Sequence, residues 1–278
     1  MAEQRIRITA ADLKRPELAP FSESSEVQLR RCNEPAPDCF IAESLRVIGR
    51  ALDAGYEALS LLIEERHLDD GTVRRCGDIP VYVGEAEVLS TLAGYKLTGG
   101  ALCLMRRKPL PALSAVLENA GRVVVMEGIN NPTNVGAIFR SAAALGADAL
   151  LLTPDCSDPL YRRAARVSMG TVMSLPWCYF GKNRLSDVTA LKEAGFAVLA
   201  MALEEDAVRL GESAPWKGRR LAVILGNEND GLSPDTVKKC DASVLIPMMN
   251  GVDSLNVAAA SAVAFWELFK GAPGGNRG

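Results

Sequence analysis

The chain is poor in the residues that build metal and disulfide frameworks. It holds one histidine, His67, and seven cysteines at positions 32, 39, 76, 103, 156, 178 and 240, with no two in a C-x-x-C pair. No zinc-ligand cluster can be drawn from that set, so no metal is expected. An odd number of scattered cysteines, several inside apolar runs, reads as small hydrophobes kept as reduced thiols. No run approaches the roughly 20 apolar residues of a membrane-spanning helix, which predicts no membrane partner. The opening MAEQRIRITA is polar and lacks the apolar core of a secretory signal. These absences together predict a cytoplasmic protein. Internal repeats and low-complexity tracts are also missing. A formal net charge of −3 argues against a surface coated in basic charge for non-specific nucleic-acid binding. Local basic clusters remain, at Arg106, Arg107 and Lys108 and at Arg162, Arg163 and Arg166. Taken alone, each reads as a solvated face.

What is present suits a folded α/β protein. The 278 residues, 48% apolar, are enough for two domains with sizeable cores. Residues 1–38, with prolines at 16, 20, 35 and 37, read as a loosely packed lead-in. A first α/β unit is expected over 39–108. Within it FIAESLRVIGRALDAG reads as an amphipathic helix with Leu45, Ile48 and Leu52 on one face and Gly55 as its stop. ALSLLI, IPVYVG and GALCLMRR read as strands and EAEVLSTLAG as a helix. Residues 109–121, with two prolines, read as a linker. From 122 to 271 apolar strands alternate with helices: RVVVME, DALLLT, FAVLAM, RLAVILG and SVLIP. That alternation predicts a parallel sheet covered on both faces. Residues 272–278 read as a flexible tail.

Ligands in open parallel sheets bind beyond the carboxyl ends of strands, and three such ends carry unusual sequence. After RVVVME comes GINNPTNVGAIFRSAAALGAD. Asn134 is a candidate N-cap. Val135, Ile138, Phe139, Ala142 and Leu145 form a buried stripe, and Arg140 lies off it. On its own Arg140 reads as a surface arginine on a well-packed helix. After LAVILG come Asn227, Glu228, Asn229, Asp230 and Gly231. That stretch is either an ordinary turn or a site. After SVLIP a glycine-containing loop leads to a helix expected to start near Ser254, capped by Ser254 or Asp253. This helix is apolar nearly all round, which calls for burial on more than one side, by a protein partner or by a deeply tucked C-terminus.

Together these segments resemble the three motifs of the SpoU (TrmH-like) RNA methyltransferases of the SPOUT superfamily. NPTNVGAIFRSAAALG is similar to the first motif, ILGNENDGLS to the second and IPMMNGVDSLNVAAA to the third. The resemblance covers about residues 122–270. More weakly, residues 40–107 resemble the small RNA-binding domain, akin to some ribosomal proteins, that often precedes this catalytic domain. Asp253, where many relatives have Glu, and the stretch Asn229–Asp230 depart slightly from the pattern.

The resemblance implies a parallel-sheet catalytic domain with a C-terminal trefoil knot, an obligate homodimer, and transfer of methyl from S-adenosylmethionine to a ribose 2′-hydroxyl of structured RNA, rRNA or tRNA. It implies cofactor contacts at Met201, Ala202, Leu225, Gly226, Asn227, Gly231, Ile246, Met248, Ser254 and Leu255. It implies catalytic or substrate-binding roles for Asn134, Arg140, Glu228, Ser254 and Asn256. A second reading is an RNA-binding protein that keeps the fold without catalysis; the intact Asn134, Arg140 and Glu228 argue against it. A dinucleotide-dependent oxidoreductase is weaker still, because GINNPTNVG lacks the G-x-G-x-x-G spacing of a pyrophosphate turn.

Overall fold

The computed structural model describes residues 5–22, 39–97, 99–179, 184–212, 216 and 218–269. The whole of the expected tail, and residues 1–4 and 23–38 of the lead-in, lie outside these residues. The chain divides into two compact units, 1–109 with 160–174, and 110–159 with 175–278.

In the first unit the strands are β1 (Arg5–Arg7), β2 (Cys39–Glu43), β3 (Ala58–Glu64), β4 (Val81–Gly84) and β5 (Ala101–Arg106). They form one sheet in the order β1-β4-β3-β5-β2, in which only β5 runs against its neighbours. The helices are α1 (Leu45–Asp53), α2 (Gly71–Arg75) and α3 (Ala86–Ala93). Two sequence expectations change here. Cys39–Glu43 is a strand rather than the start of a helix. Phe40, Ile41 and Ala42 are buried in register with Met105, Leu104 and Cys103 of β5, and this long-range pairing overrides the local helical pattern. The helix begins only after Ser44, and it buries Val47, Ile48 and Ala51 rather than Leu45 and Leu52. The described part of the lead-in is also not loose: β1 pairs with β4, and Leu18 and Phe21 are fully buried in this unit's core.

The second unit carries β6 (Arg122–Met126), β7 (Ala149–Leu152), β8 (Trp177–Tyr179), β9 (Ala197–Met201), β10 (Val208–Arg209), β11 (Leu221–Leu225) and β12 (Ala242–Leu245). All pair in parallel in the order β10-β12-β9-β11-β6-β7-β8, as the alternation of apolar strands and helices predicts. Its helices are α4 (Leu113–Glu118), α5 (Pro132–Leu145), α7 (Arg184–Glu193), α8 (Pro234–Lys239) and α9 (Val257–Leu268). Within the expected linker, Leu113–Glu118 forms α4, whose Val116 and Leu117 belong to this unit's core. Sequence reading also missed β8, β10 and α7, which lack a long apolar run.

The remaining helix, α6 (Arg162–Val167), follows β7 in sequence yet groups with the first unit. It packs on β2, and Arg166 pairs with the buried Glu43. Along α5, Val135, Ile138, Phe139 and Ala142 are buried as expected and Leu145 partly so. The described cysteines are all free thiols. Burial pushes the Cys240 thiol up to about 12, consistent with a packing rather than a reactive role. Among the described residues no helix is long and apolar enough to cross a membrane, and no group of three His, Cys, Asp or Glu could hold a metal.

Candidate active site

The order β12-β9-β11-β6 places the carboxyl ends of four strands side by side, so the loops after Met201, Leu225 and Leu245 converge beside the one after Met126. A cavity of about 580 Å³ opens there. All ten residues expected to hold a cofactor line it: Met201, Ala202, Leu225, Gly226, Asn227, Gly231, Ile246, Met248, Ser254 and Leu255. Glu228 and Asn256 line it as well.

The loop after β11 is folded back on itself. The backbones of Asn227 and Gly231 exchange hydrogen bonds of 3.1 and 2.9 Å, and the Asn227 side chain donates to the carbonyl of Gly128 at 2.6 Å. Gly231 adopts φ 68°, a left-handed conformation suited to glycine. At Gly226 a Cβ would meet the Gly231 carbonyl carbon at 2.4 Å, so only glycine allows the loop to close over the strand end.

At the edge of the cavity three side chains from three separate segments meet. The Asn134 side-chain amide donates to Glu228 Oε1. The Asn256 amide donates to the same oxygen at 2.9 Å and to Asn134 Oδ1 at 3.3 Å. Asn134 is therefore not the N-cap of α5. Asn131 caps it, accepting from the Thr133 N–H at 2.9 Å ahead of Pro132 at the first helical position. Asn134 lies within the first turn and is 5% exposed. Likewise α9 starts at Val257 rather than near Ser254. Its cap is Asn256, whose Oδ1 accepts from the Ala258 N–H at 3.0 Å while its amide hydrogens serve Glu228. Ser254 sits in the exposed loop before the helix.

Arg140 stands apart. It is exposed on α5, outside the cavity lining, and makes no ion pair or hydrogen bond among the described residues. One group that sequence reading passed over is Glu127, which directly follows β6 and is 4% exposed. Its two carboxylate oxygens accept from the Ser233 N–H at 2.9 Å and the Thr236 hydroxyl at 2.6 Å, at the N-terminus of α8. The signal was a single carboxylate closing the apolar run RVVVM.

The lining suits a cationic ligand. Glu204, Glu228, Asp230 and Asp253 line the cavity, with no Lys, Arg or His among the lining residues. A pyrophosphate would be repelled there, whereas a positively charged sulfonium is favoured. Leu225, Ile246 and Leu255 offer apolar walls to an adenine, and the irregular loops present backbone polar groups.

Residues 121–266 match the SpoU rRNA Methylase family, and the chain belongs to that family. The family uses S-adenosylmethionine, and the cavity's acidic and apolar lining fits that cofactor. The chain is 37% identical over 254 residues to an uncharacterized tRNA/rRNA methyltransferase of Mycobacterium bovis, covering 91% of this chain and 88% of that protein. It is 32% identical to a 23S rRNA adenosine 2′-O-methyltransferase of Streptomyces azureus, over 69% of this chain and 71% of that one. The AdoMet-bound rRNA methyltransferase of Sinorhizobium meliloti shares the fold with a TM-score of 0.77 at 22% identity, covering 96% of this chain and 98% of that one.

Proposed function

We propose that this RNA methyltransferase homologue methylates a ribose 2′-hydroxyl of structured RNA, rRNA or tRNA, in the cytoplasm. The observation that carries the reading is the junction of Asn134, Glu228 and Asn256 at the edge of an acidic, apolar-walled cavity. The 2′-O-methyltransferase of Streptomyces azureus supports the choice of atom. When bound, S-adenosylmethionine supplies an electrophilic methyl group, so the protein's task is to bind, orient and polarise. Met201, Ala202, Leu225, Gly226, Asn227, Gly231, Ile246, Met248, Ser254 and Leu255 would hold the cofactor. The Asn134–Glu228–Asn256 network fixes the floor against which a ribose is aligned, and Ser254 offers a further hydroxyl. Arg140 is a poor base, since a guanidinium in a protein keeps its proton. Its role in this reading is to grip the phosphate beside the target ribose and to stabilise charge developing on the 2′-oxygen.

The same reading includes a homodimer and a trefoil knot. Val263 and Trp266 of α9 are exposed, Trp266 at 64%, which supports coverage by a second copy. The packing of α9 on α5, after β12 on the far side of the sheet, supports a chain that doubles back through itself. The N-terminal unit would contribute RNA affinity. The decisive experiment is mass-spectrometric mapping of 2′-O-methyl sites in RNA from a deletion strain and its parent. A site missing from the deletion strain and restored in vitro by the purified protein is the expected result. Sedimentation at micromolar concentration tests the dimer, and a monomer would overturn that part.

A further inference from the structure

The arginine cluster of α6 has no part in the cofactor cavity. In sequence it follows β7 of the methyltransferase sheet, yet it folds onto the first unit, and there it meets two other basic segments. The Arg166 guanidinium donates to Glu43 Oε1 at 3.1 Å, and the Tyr95 hydroxyl donates to Glu43 Oε2 at 3.0 Å. The Arg162 guanidinium carbon lies over the Tyr95 ring, 4.6 Å from its centroid. Just beyond α6, the Arg50 side chain of α1 donates to the Met169 carbonyl at 2.7 Å. Gly99 closes against the start of α1: a Cβ on it would lie 2.8 Å from that of Ser44, which is itself held at φ 80°.

Three stretches are thereby gathered at the Glu43 end of the first unit's sheet: 44–50, 94–97 with 99–100, and 160–174. They carry Arg46, Arg50, Lys96, Arg162, Arg163 and Arg166 and no Asp or Glu. The carboxylate at their junction, Glu43, is 2% exposed and is taken up by Arg166 and Tyr95. Arg46, Lys96 and Arg163 are exposed and make no ion pair among the described residues. In a chain of net charge −3, such a concentration of cations on a rigid scaffold marks a polyanion surface.

We infer that this surface is the RNA-backbone grip of the first unit, with Arg46, Lys96 and Arg163 meeting phosphates. Glu43, Tyr95 and Arg166 are positioning residues that hold α6 in place. The inference rests on the proposal that the chain acts on structured RNA. It adds that a segment lying between two strands of the methyltransferase sheet helps to build the RNA-binding face of the other unit. RNA is favoured over an acidic peptide because the family methylates RNA and because the Arg162–Tyr95 stack offers a flat π surface beside the cations, which suits bases next to a phosphate chain.

The test uses the full chain carrying Arg46→Ala, Lys96→Ala and Arg163→Ala together. Binding to an in vitro-transcribed 23S rRNA and to bulk tRNA is measured by filter binding across a potassium chloride series. Each lost phosphate contact lowers the steepness of log K against log salt by about 0.7 to 0.9. The triple variant should therefore lose roughly two in slope and bind at least about tenfold more weakly at low salt, on whichever RNA the wild type prefers. A control carrying Lys14→Ala and Lys238→Ala should leave slope and affinity unchanged. Unchanged binding by the triple variant on both RNAs, or an equal loss in the control, overturns the assignment. S-adenosylmethionine titrated into the same triple variant by calorimetry should bind as in wild type. If the wild-type protein binds neither RNA, it is the RNA-methyltransferase reading itself that fails.

Discussion

Asn134 and Glu228 stand 94 residues apart in the chain and share a hydrogen bond, the amide of one donating to the carboxylate of the other. The bond joins the first turn of α5 to the loop after β11, and Asn256 completes it from the cap of α9. A single carboxylate oxygen thus ties together the three segments that carry the family motifs. Its consequences, and those of its neighbours, can be measured.

Gly226→Ala should collapse the cofactor cavity. The added methyl would overlap the Gly231 backbone, which cannot rotate aside as a side chain would. Overpacking of this kind costs roughly 1–3 kcal/mol. Thermal unfolding should show the loss, and calorimetric affinity for S-adenosylmethionine should fall at least about tenfold. An alanine variant with native affinity would show that the loop relaxes freely.

Arg140→Ala should abolish methyl transfer and leave cofactor binding nearly intact. Arg140 is exposed and lies outside the cavity lining, so its loss opens no cavity in the core. Losing an aligned cationic donor costs on the order of a hundredfold or more in rate. Arg140→Lys keeps the charge and loses the planar fork, so it should fail almost as badly if two-point phosphate contact matters. Near-native turnover by the lysine variant would reduce Arg140 to a point charge. Activity in the alanine variant would remove it from the site.

Glu127→Gln should loosen the start of α8. Both carboxylate oxygens accept hydrogen bonds, and an amide must turn an NH₂ toward one of those donors. Mispairing a buried polar group costs about 1–3 kcal/mol. Hydrogen exchange over residues 227–239 should accelerate more than elsewhere in the second unit. Uniform acceleration across the chain would instead indicate a general loss of stability.

Tyr95→Phe should flatten the alkaline limb of the stability curve. Burial, with the neighbouring Glu43 carboxylate, pushes the Tyr95 hydroxyl well above its usual range, against an opposing pull from Arg162. A folded-state value raised above the unfolded one gives stability that is whole below about pH 10 and declines as pH rises beyond it. The phenylalanine variant lacks this proton linkage, and near neutrality it loses about 1 kcal/mol with the hydrogen bond to Glu43. Denaturant titrations at pH 8 and pH 10.5 should therefore differ less for the variant than for wild type. Equal differences would place the alkaline sensitivity elsewhere.

The sequence by itself determined five of the seven strands of the second unit and the identity of its chemically rich loops. RVVVM, ALLL, AVLAM and LAVIL are buried on both faces of a parallel sheet, and that environment writes itself locally as an unbroken apolar run. Polar and glycine residues directly after such runs mark strand ends, and the resemblance of those loops to the family motifs is what made the cavity-lining residues legible before any contact was known. Tertiary structure decided what a local window cannot encode. Asn134 reads as a cap because caps and buried amides draw on the same residue type; only the approach of Glu228 and Asn256 turned it inward, leaving Asn131 to the helix end. Phe40–Ala42 became strand because β5 offered a partner edge. Arg162 and Arg166 read as an ordinary solvated face until the fold carried α6 onto Glu43 and Tyr95 within the first unit. Periodicity records which side of an element is buried; the partner that buries it is fixed by contacts between segments far apart in the chain.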